Sequence, residues 1–225
     1  MVKFDNNSNN KNQCRIDFQK ILNKCKSSLK NGYTLSVLFA GVGGQGIILA
    51  STVLAKAAIN EGFDVKVSEV HGMSQRGGSV EGTVRIGKKV FSPIINKSDF
   101  IVALEKLEGL RYIGKLDSSG LVIINNYKIY PSTVFSRSIS YPDDIEERVK
   151  KITGNCIFVE ATAAAEMIGE IRSSNIIMLG VLSGFLPFKI NSWVQAIEES
   201  VPVKAVNINI EAFKAGKNII NKRNN

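Results

Sequence analysis

Leu35-Ser-Val-Leu-Phe-Ala-Gly41-Val-Gly43-Gly44-Gln45-Gly46-Ile-Ile-Leu49 decides the fold of this chain. An apolar run of strand length meets Gly-x-Gly-x-x-Gly, and helical periodicity begins directly after it. That is the order in which a buried parallel strand turns into a helix at a nucleotide- or anion-binding corner. Gly41 permits the tight turn, Gly43 lets backbone N–H groups approach an anion, and Gly46 lets helix and strand pack closely. Unpaired N–H groups at the helix start, together with its dipole, favour a phosphate or carboxylate there. A second strand, Asp64-Val-Lys-Val-Ser-Glu69-Val70, leads into His71-Gly-Met-Ser-Gln75-Arg76-Gly77-Gly78. This loop holds the sole histidine of the chain, an arginine and three glycines.

Working outward, the helix spans 44–60, with Ile47, Ile48, Ala50, Val53, Leu54, Ala57 and Ala58 on its apolar side and Glu61-Gly62 ending it. With strands at 33–40 and 65–70 it makes a right-handed βαβ unit if the strands lie side by side. Residues 79–86 alternate as a strand, and Gly87-Lys88 reads as a hairpin turn with 89–92 returning antiparallel, so the sheet is mixed. Further strands fall at 100–104, 121–125 and 156–159, with a short helix through Leu107 and Leu110. Residues 127–141 read as an irregular excursion or a short strand pair. Helices follow at 142–152, 161–171, 175–185, 193–200 (capped by Asn191 or Ser192) and 204–221. Gly180 and Gly184 permit close helix packing. Phe185, Leu186, Phe188 and Trp193 gather around Pro187, either as a partner-binding surface or as closure of the domain's own core. The fold class is α/β: a Rossmann-like βαβ start, a mostly parallel mixed sheet flanked by helices, and a helical C-terminal part. The expected organisation is a polar tail over 1–32, one domain over 33–221, and fraying over 222–225.

Composition narrows the function. At 225 residues, 44% hydrophobic and 22% charged, the chain suits one soluble domain. Residues 1–30 carry seven Lys/Arg against two Asp, so five of the nine net positive charges belong to the tail and four remain for the rest. That removes most of the case for a nucleic-acid surface, and no basic stripe with interleaved aromatics appears. Cys14, Cys25 and Cys156 have no metal-ligand spacing, and three thiolates fall short of the four that hold an iron–sulfur cluster. One histidine argues against a zinc site. No apolar run reaches the roughly 18 residues of a membrane span, and no signal-peptide core opens the chain, so the expected compartment is the cytoplasm. Phe18, Ile21, Leu22, Cys25 and Leu29 form a helical stripe in the tail, read as a docking or cap helix; an organelle transit peptide shares its amphipathic look but not the two Asp.

Each element of the site has a plain structural alternative. The glycine turn can serve packing alone, His71 can brace its loop, and Arg76 can pair with Glu69. Still, the polar, glycine-rich loop at the carboxyl end of a parallel strand, beside the turn, occupies the crevice where open α/β sheets bind ligands. No nucleophile is paired with a base: there is no Gly-x-Ser-x-Gly elbow and no Cys/His pair at a legible spacing.

Gly41-Val-Gly-Gly-Gln-Gly46, followed by Ser68-Glu-Val-His-Gly-Met-Ser-Gln-Arg-Gly-Gly78-Ser-Val80, resembles the gamma-type domain of the 2-oxoacid:ferredoxin oxidoreductases. Within that family it is most similar to the separate small (beta) subunit of the indolepyruvate enzymes. The resemblance covers 33–220 and leaves the tail aside. It implies a large (alpha) subunit that carries thiamine diphosphate and [4Fe-4S] clusters, with no cofactor on this chain and ferredoxin reached through the complex. It also implies oxidative decarboxylation of an aryl 2-oxoacid with coenzyme A. Gly41, Gly43, Gly44, Gln45, Gly46, Glu69, His71, Gln75, Arg76, Gly77 and Gly78 are the expected ligand- or partner-facing residues, with His71 the one candidate for proton transfer. Two other readings remain. One is an NAD(P)-binding Rossmann oxidoreductase with Glu69 on the ribose; the other is a scaffold subunit without chemistry.

Overall fold

The computed structural model describes residues 16–70, 78–130 and 141–224. Six strands, β1 (Leu35–Val42), β2 (Asp64–Val70), β3 (Ser79–Gly87), β4 (Ser98–Ala103), β5 (Leu116–Asn125) and β6 (Cys156–Val159), form one sheet in the order β2-β3-β1-β4-β5-β6. β1, β4, β5 and β6 pair in parallel, and β3 runs antiparallel to both β1 and β2. The continuous apolar runs are explained by burial on both faces. Val37, Phe39, Phe100, Val102, Leu121 and Ile123 point to one core, while Leu38, Ala40, Ile101, Ala103, Val122 and Ile124 point to the other, with the period of two that a strand imposes.

On the first face lie α1 (Phe18–Lys30), α2 (Ile47–Asn60), α5 (Ala161–Ile168), α6 (Ser174–Ser183), α7 (Ile190–Glu198) and α8 (Val206–Asn224); α3 (Lys106–Tyr112) and α4 (Ile145–Ile152) cover the second. α1 is the docking helix expected from its stripe. Asp17 caps it by accepting the Lys20 N–H at 2.9 Å, Cys25 and Leu29 are buried, and Phe18 stacks on Phe185 with ring centroids 5.3 Å apart. Helix α6 is buried along nearly its whole length, which its glycine makes possible. A Cβ on Gly180 would meet the Phe213 carbonyl of α8, and one on Gly216 would meet the Ile177 carbonyl, so the two backbones touch. Gly184 does the same service against Ile220.

The topology corrects the sequence reading at four points. β1 and β2 are parallel in direction but not neighbours, because β3 lies between them. No return strand follows Gly87-Lys88: both edges of β3 are already occupied, and the chain instead crosses in irregular form, held by Val90 N–H to the Asp64 carboxylate at 2.7 Å and Arg85 to the Ser92 carbonyl at 2.8 Å. The mixed character of the sheet therefore comes from β3 itself. Phe185, Leu186, Phe188 and Trp193 are at most 9% exposed and close the domain's own core, with Trp193 against Phe188 and Phe213, so they form no partner surface. Neither Asn191 nor Ser192 caps α7, which begins at Ile190; Glu61, at the end of α2, accepts both the Lys189 N–H at 2.7 Å and the Ser192 hydroxyl at 2.6 Å. In addition, α8 continues to Asn224, beyond its expected end at 221.

Candidate functional site

β3 runs opposite to its neighbours, so its first residues meet the carboxyl ends of β1, β4 and β5 at one rim of the sheet. The glycine turn forms the centre of that rim. Gln45 N–H closes it onto the Val42 carbonyl at 3.1 Å, and the Gln45 side chain locks it: Oε1 accepts the Val42 N–H at 2.8 Å and Nε2 donates to the Leu104 carbonyl at 2.9 Å. Both ends of that amide are committed to backbone, so Gln45 contributes by holding the turn. Gly41 sits beneath it, where a Cβ would come within 2.8 Å of Gln45 Oε1. Gly43 N–H is likewise committed, to the Gly78 carbonyl at 2.8 Å, which places the end of the 71–78 loop directly on the turn. Gly44 (φ 103°) is exposed, and Gly46 (φ 78°) is the left-handed residue before α2, with no side-chain cap on the helix.

A cleft of about 280 Å³ opens at this turn, lined by Val42, Gly43, Gly44, Gly46, Ile47, Ile48 and Val80. Its floor is backbone and its walls are aliphatic. The N–H groups at the start of α2 lie beyond the reach of the helix's own carbonyls and face this end of the domain. The cleft suits a ligand or partner segment that is apolar along its length and polar at one end.

Glu69 is placed otherwise than a ribose-binding acid requires. It lies on β2, two strands from β1, and its carboxylate accepts the Ser51 hydroxyl of α2 at 3.2 Å. Two strand spacings amount to about 10 Å, which removes the geometry on which the dinucleotide reading rested. His71, Gln75, Arg76 and Gly77 lie outside the described residues; Gly78 is the member of that loop the structure locates.

The same rim holds residues that sequence reasoning passed over. Leu104 C=O accepts from Gln45 and, at 3.2 Å, from Asn125 Nδ2, while Asn125 Oδ1 takes the N–H groups of Ala161 and Thr162 at 3.1 and 3.3 Å. One asparagine thus joins the ends of β4 and β5 to the start of α5. Glu105 caps α3, accepting the Glu108 N–H at 2.9 Å, and its other oxygen receives the Ile129 N–H at 3.2 Å and the Tyr141 hydroxyl at 2.5 Å. Glu108 accepts the Ser79 hydroxyl and pairs with Arg111 at 3.0 Å. Burial pushes the Glu108 carboxyl up, with the Ser79 hydrogen bond and Arg111 acting against it. Burial, followed by the hydrogen bond to Glu105, raises the Tyr141 phenol. The signal was present as Glu105-x-x-Glu108 directly after a strand, the spacing at which an N-cap and its third helical residue meet. Among the described residues, no three His, Cys, Asp or Glu side chains converge on a metal site.

An α/β domain with a glycine-turn cleft at its carboxyl rim is the class that fold and site define. The family model for pyruvate ferredoxin/flavodoxin oxidoreductase matches residues 36–219, and the chain belongs to that family. It is 40% identical over 190 residues to the indolepyruvate oxidoreductase subunit IorB of Archaeoglobus fulgidus, covering 82% of this chain and 94% of the relative. Similarity to the subunit of the same name from Pyrococcus horikoshii is 38% over 200 residues, covering 83% and 98%. In fold the chain is similar to the gamma subunit of the keto/oxoacid ferredoxin oxidoreductase from Geobacter sulfurreducens, with a TM-score of 0.61, 24% identity, and coverage of 83% of this chain and 98% of the other.

Proposed function

We propose that this chain is the small subunit of a 2-oxoacid:ferredoxin oxidoreductase acting on indolepyruvate or a similar aryl 2-oxoacid. The observation that carries the reading is the similarity to small subunits named for indolepyruvate over more than nine-tenths of their length, in a domain with a glycine turn at its carboxyl rim. In the reaction the bond between C1 and C2 of the oxoacid breaks and CO2 leaves, the acyl carbon joins the sulfur of coenzyme A as the thiol gives up its proton, and two electrons pass to ferredoxin. Thiamine diphosphate and [4Fe-4S] clusters belong to the large subunit, where the first supplies the electron sink for decarboxylation. The isolated small subunit is then colourless and inactive. Two facts support that division: the three thiols are too few for a cluster, and among the described residues Cys25 and Cys156 are both buried.

The role of this chain is positional. The glycine turn and the 71–78 loop face the large subunit's active site, where they help admit the oxoacid or hold the phosphates of coenzyme A. Gly43 N–H is occupied by Gly78, so any anion contact falls to the free N–H groups at the start of α2 and to the guanidinium of Arg76. A hydrogen bond of this charged kind is worth about 1.5–3 kcal/mol, or roughly ten- to a hundredfold in affinity. Arg76→Ala should therefore raise the apparent constant for coenzyme A or the oxoacid by that factor in a complex that still assembles. An assembled Arg76→Ala enzyme with both constants and turnover unchanged would return the loop to a purely structural role. His71→Ala should alter the pH profile of turnover if His71 moves a proton, and have only a weak effect if it braces the loop.

A further inference from the structure

Glu105 and Glu108 take no part in that reading, yet they are 1% and 4% exposed at the same rim, on the α3 side of the sheet. Burying a carboxylate is expensive, and apolar residues of similar volume usually stabilise a fold as well or better. What a buried acid adds is direction, through the partners it fixes. The partners of Glu108 trace a short path to the cleft. One oxygen is held by Arg111 at 3.0 Å, and the other accepts the Ser79 hydroxyl, which also lies 3.2 Å from the Tyr112 hydroxyl. Ser79 opens β3 between Gly78, whose carbonyl takes the Gly43 N–H at 2.8 Å, and Val80, which forms part of the cleft wall. Glu105 accepts the Glu108 N–H and so orients the first turn of α3 that carries Glu108.

We infer that Glu108 is a positioning residue for the reaction: acting through Ser79, it fixes the Gly78–Val80 edge of the cleft against Gly43. This rests on the reading proposed above, with the cleft at the glycine turn as the place that takes the oxoacid or coenzyme A. A helix acid that merely complements the α3 dipole would need neither burial nor a bond to another element. Glu108→Gln keeps the acceptor for Ser79, whereas Glu108→Ala removes it, and Ser79→Ala removes the donor.

The test uses the assembled complex with its large subunit, measuring turnover, the KM values for oxoacid and coenzyme A, and hydrogen exchange in peptides covering 41–46 and 79–84. Glu108→Ala and Ser79→Ala should each raise one KM by about tenfold, the lower end of what a hydrogen bond to a charged group is worth. Turnover and assembly should be preserved, the double variant should be no worse than either single one, and Glu108→Gln should approach the wild type. Exchange should quicken in those two peptides and not in α6 or α8. Additive effects, a Gln variant as impaired as Ala, or unchanged KM values would overturn the assignment. Ile48→Trp, which fills the cleft mouth, separates the two levels. If it leaves both KM values unchanged, the cleft reading fails; if it raises one while Glu108→Ala does not, the positioning role alone falls.

Discussion

Replacing Gly46 with alanine tests whether the glycine turn is built as described. Gly46 has a φ of 78°, and a Cβ there would collide with the Asn175 carboxamide. Asn175 is 2% exposed, donates to the Gly46 carbonyl at 3.0 Å and accepts the Ile176 N–H at 2.8 Å, so it cannot swing aside without leaving buried polar groups unmatched. The left-handed backbone costs about 1–2 kcal/mol for a residue with a Cβ, and the stranded carboxamide about 1–3 kcal/mol. The sum is about 2–5 kcal/mol. At roughly 2–4 °C per kcal/mol for a domain of this size, the unfolding midpoint should drop on the order of 10 °C. Urea and thermal unfolding followed by circular dichroism would read it. Gly44→Ala is the control, since its φ is 103° but nothing lies within 4 Å of a Cβ, so only the backbone cost applies. In an Asn175→Ala background, the further cost of Gly46→Ala should fall to that of Gly44→Ala. If Gly46→Ala is no more damaging than Gly44→Ala, or shows no coupling to Asn175, the account of the turn is wrong.

Gly216→Ala drives a methyl into the Ile177 carbonyl of α6 and should cost about 3 kcal/mol or more, whereas Gly154→Ala, with open space around it, should be nearly neutral in the same urea titration. Burial, followed by repulsion from Asp99, pushes the Cys25 thiol up to about 12; peptide mass spectrometry should find it unlabelled by iodoacetamide in the native protein and labelled once unfolded. The carboxyl of Glu108 is raised in the folded state, so its contribution to stability is fully present below the unfolded pKa and is lost as pH rises through the folded value. Between about pH 4 and about pH 7, urea midpoints of the wild type should therefore lose more, or gain less, than those of Glu108→Gln.

Much of this was legible in the sequence because the deciding information was local. The doubly buried strands show as unbroken apolar runs, the turn as three spaced glycines, and α1 as a stripe from Phe18 to Leu29. The place of β3 was not legible, because no local pattern says which edge an antiparallel strand will take. Here Gly82 faces α2, where a Cβ would stand 3.3 Å from Ile47, and this close fit lets α2 pack across β3. The aromatic cluster around Pro187 looked the same whether it served a core or an interface; only the stacking of Phe18 on Phe185 and the tilted contact of Trp193 with Phe213 decide it. Gln45 illustrates the limit at the site: its position in the motif was plain, but the partners that claim its amide, Val42 and Leu104, include one 59 residues away. Glu105 and Glu108 carry a capping spacing in the sequence, but only tertiary contacts show them buried.

The central claim is that this domain completes a 2-oxoacid:ferredoxin oxidoreductase. Its most direct test is to co-express the chain with its cognate large subunit, purify through a tag on the small chain, and assay indolepyruvate-dependent, coenzyme A-dependent ferredoxin reduction. The account predicts a brown heteromer that is active only when both subunits are present, with the small chain alone colourless and inert. A small chain that emerges as a monomer without the large subunit, or that transfers electrons to NAD by itself, would contradict it.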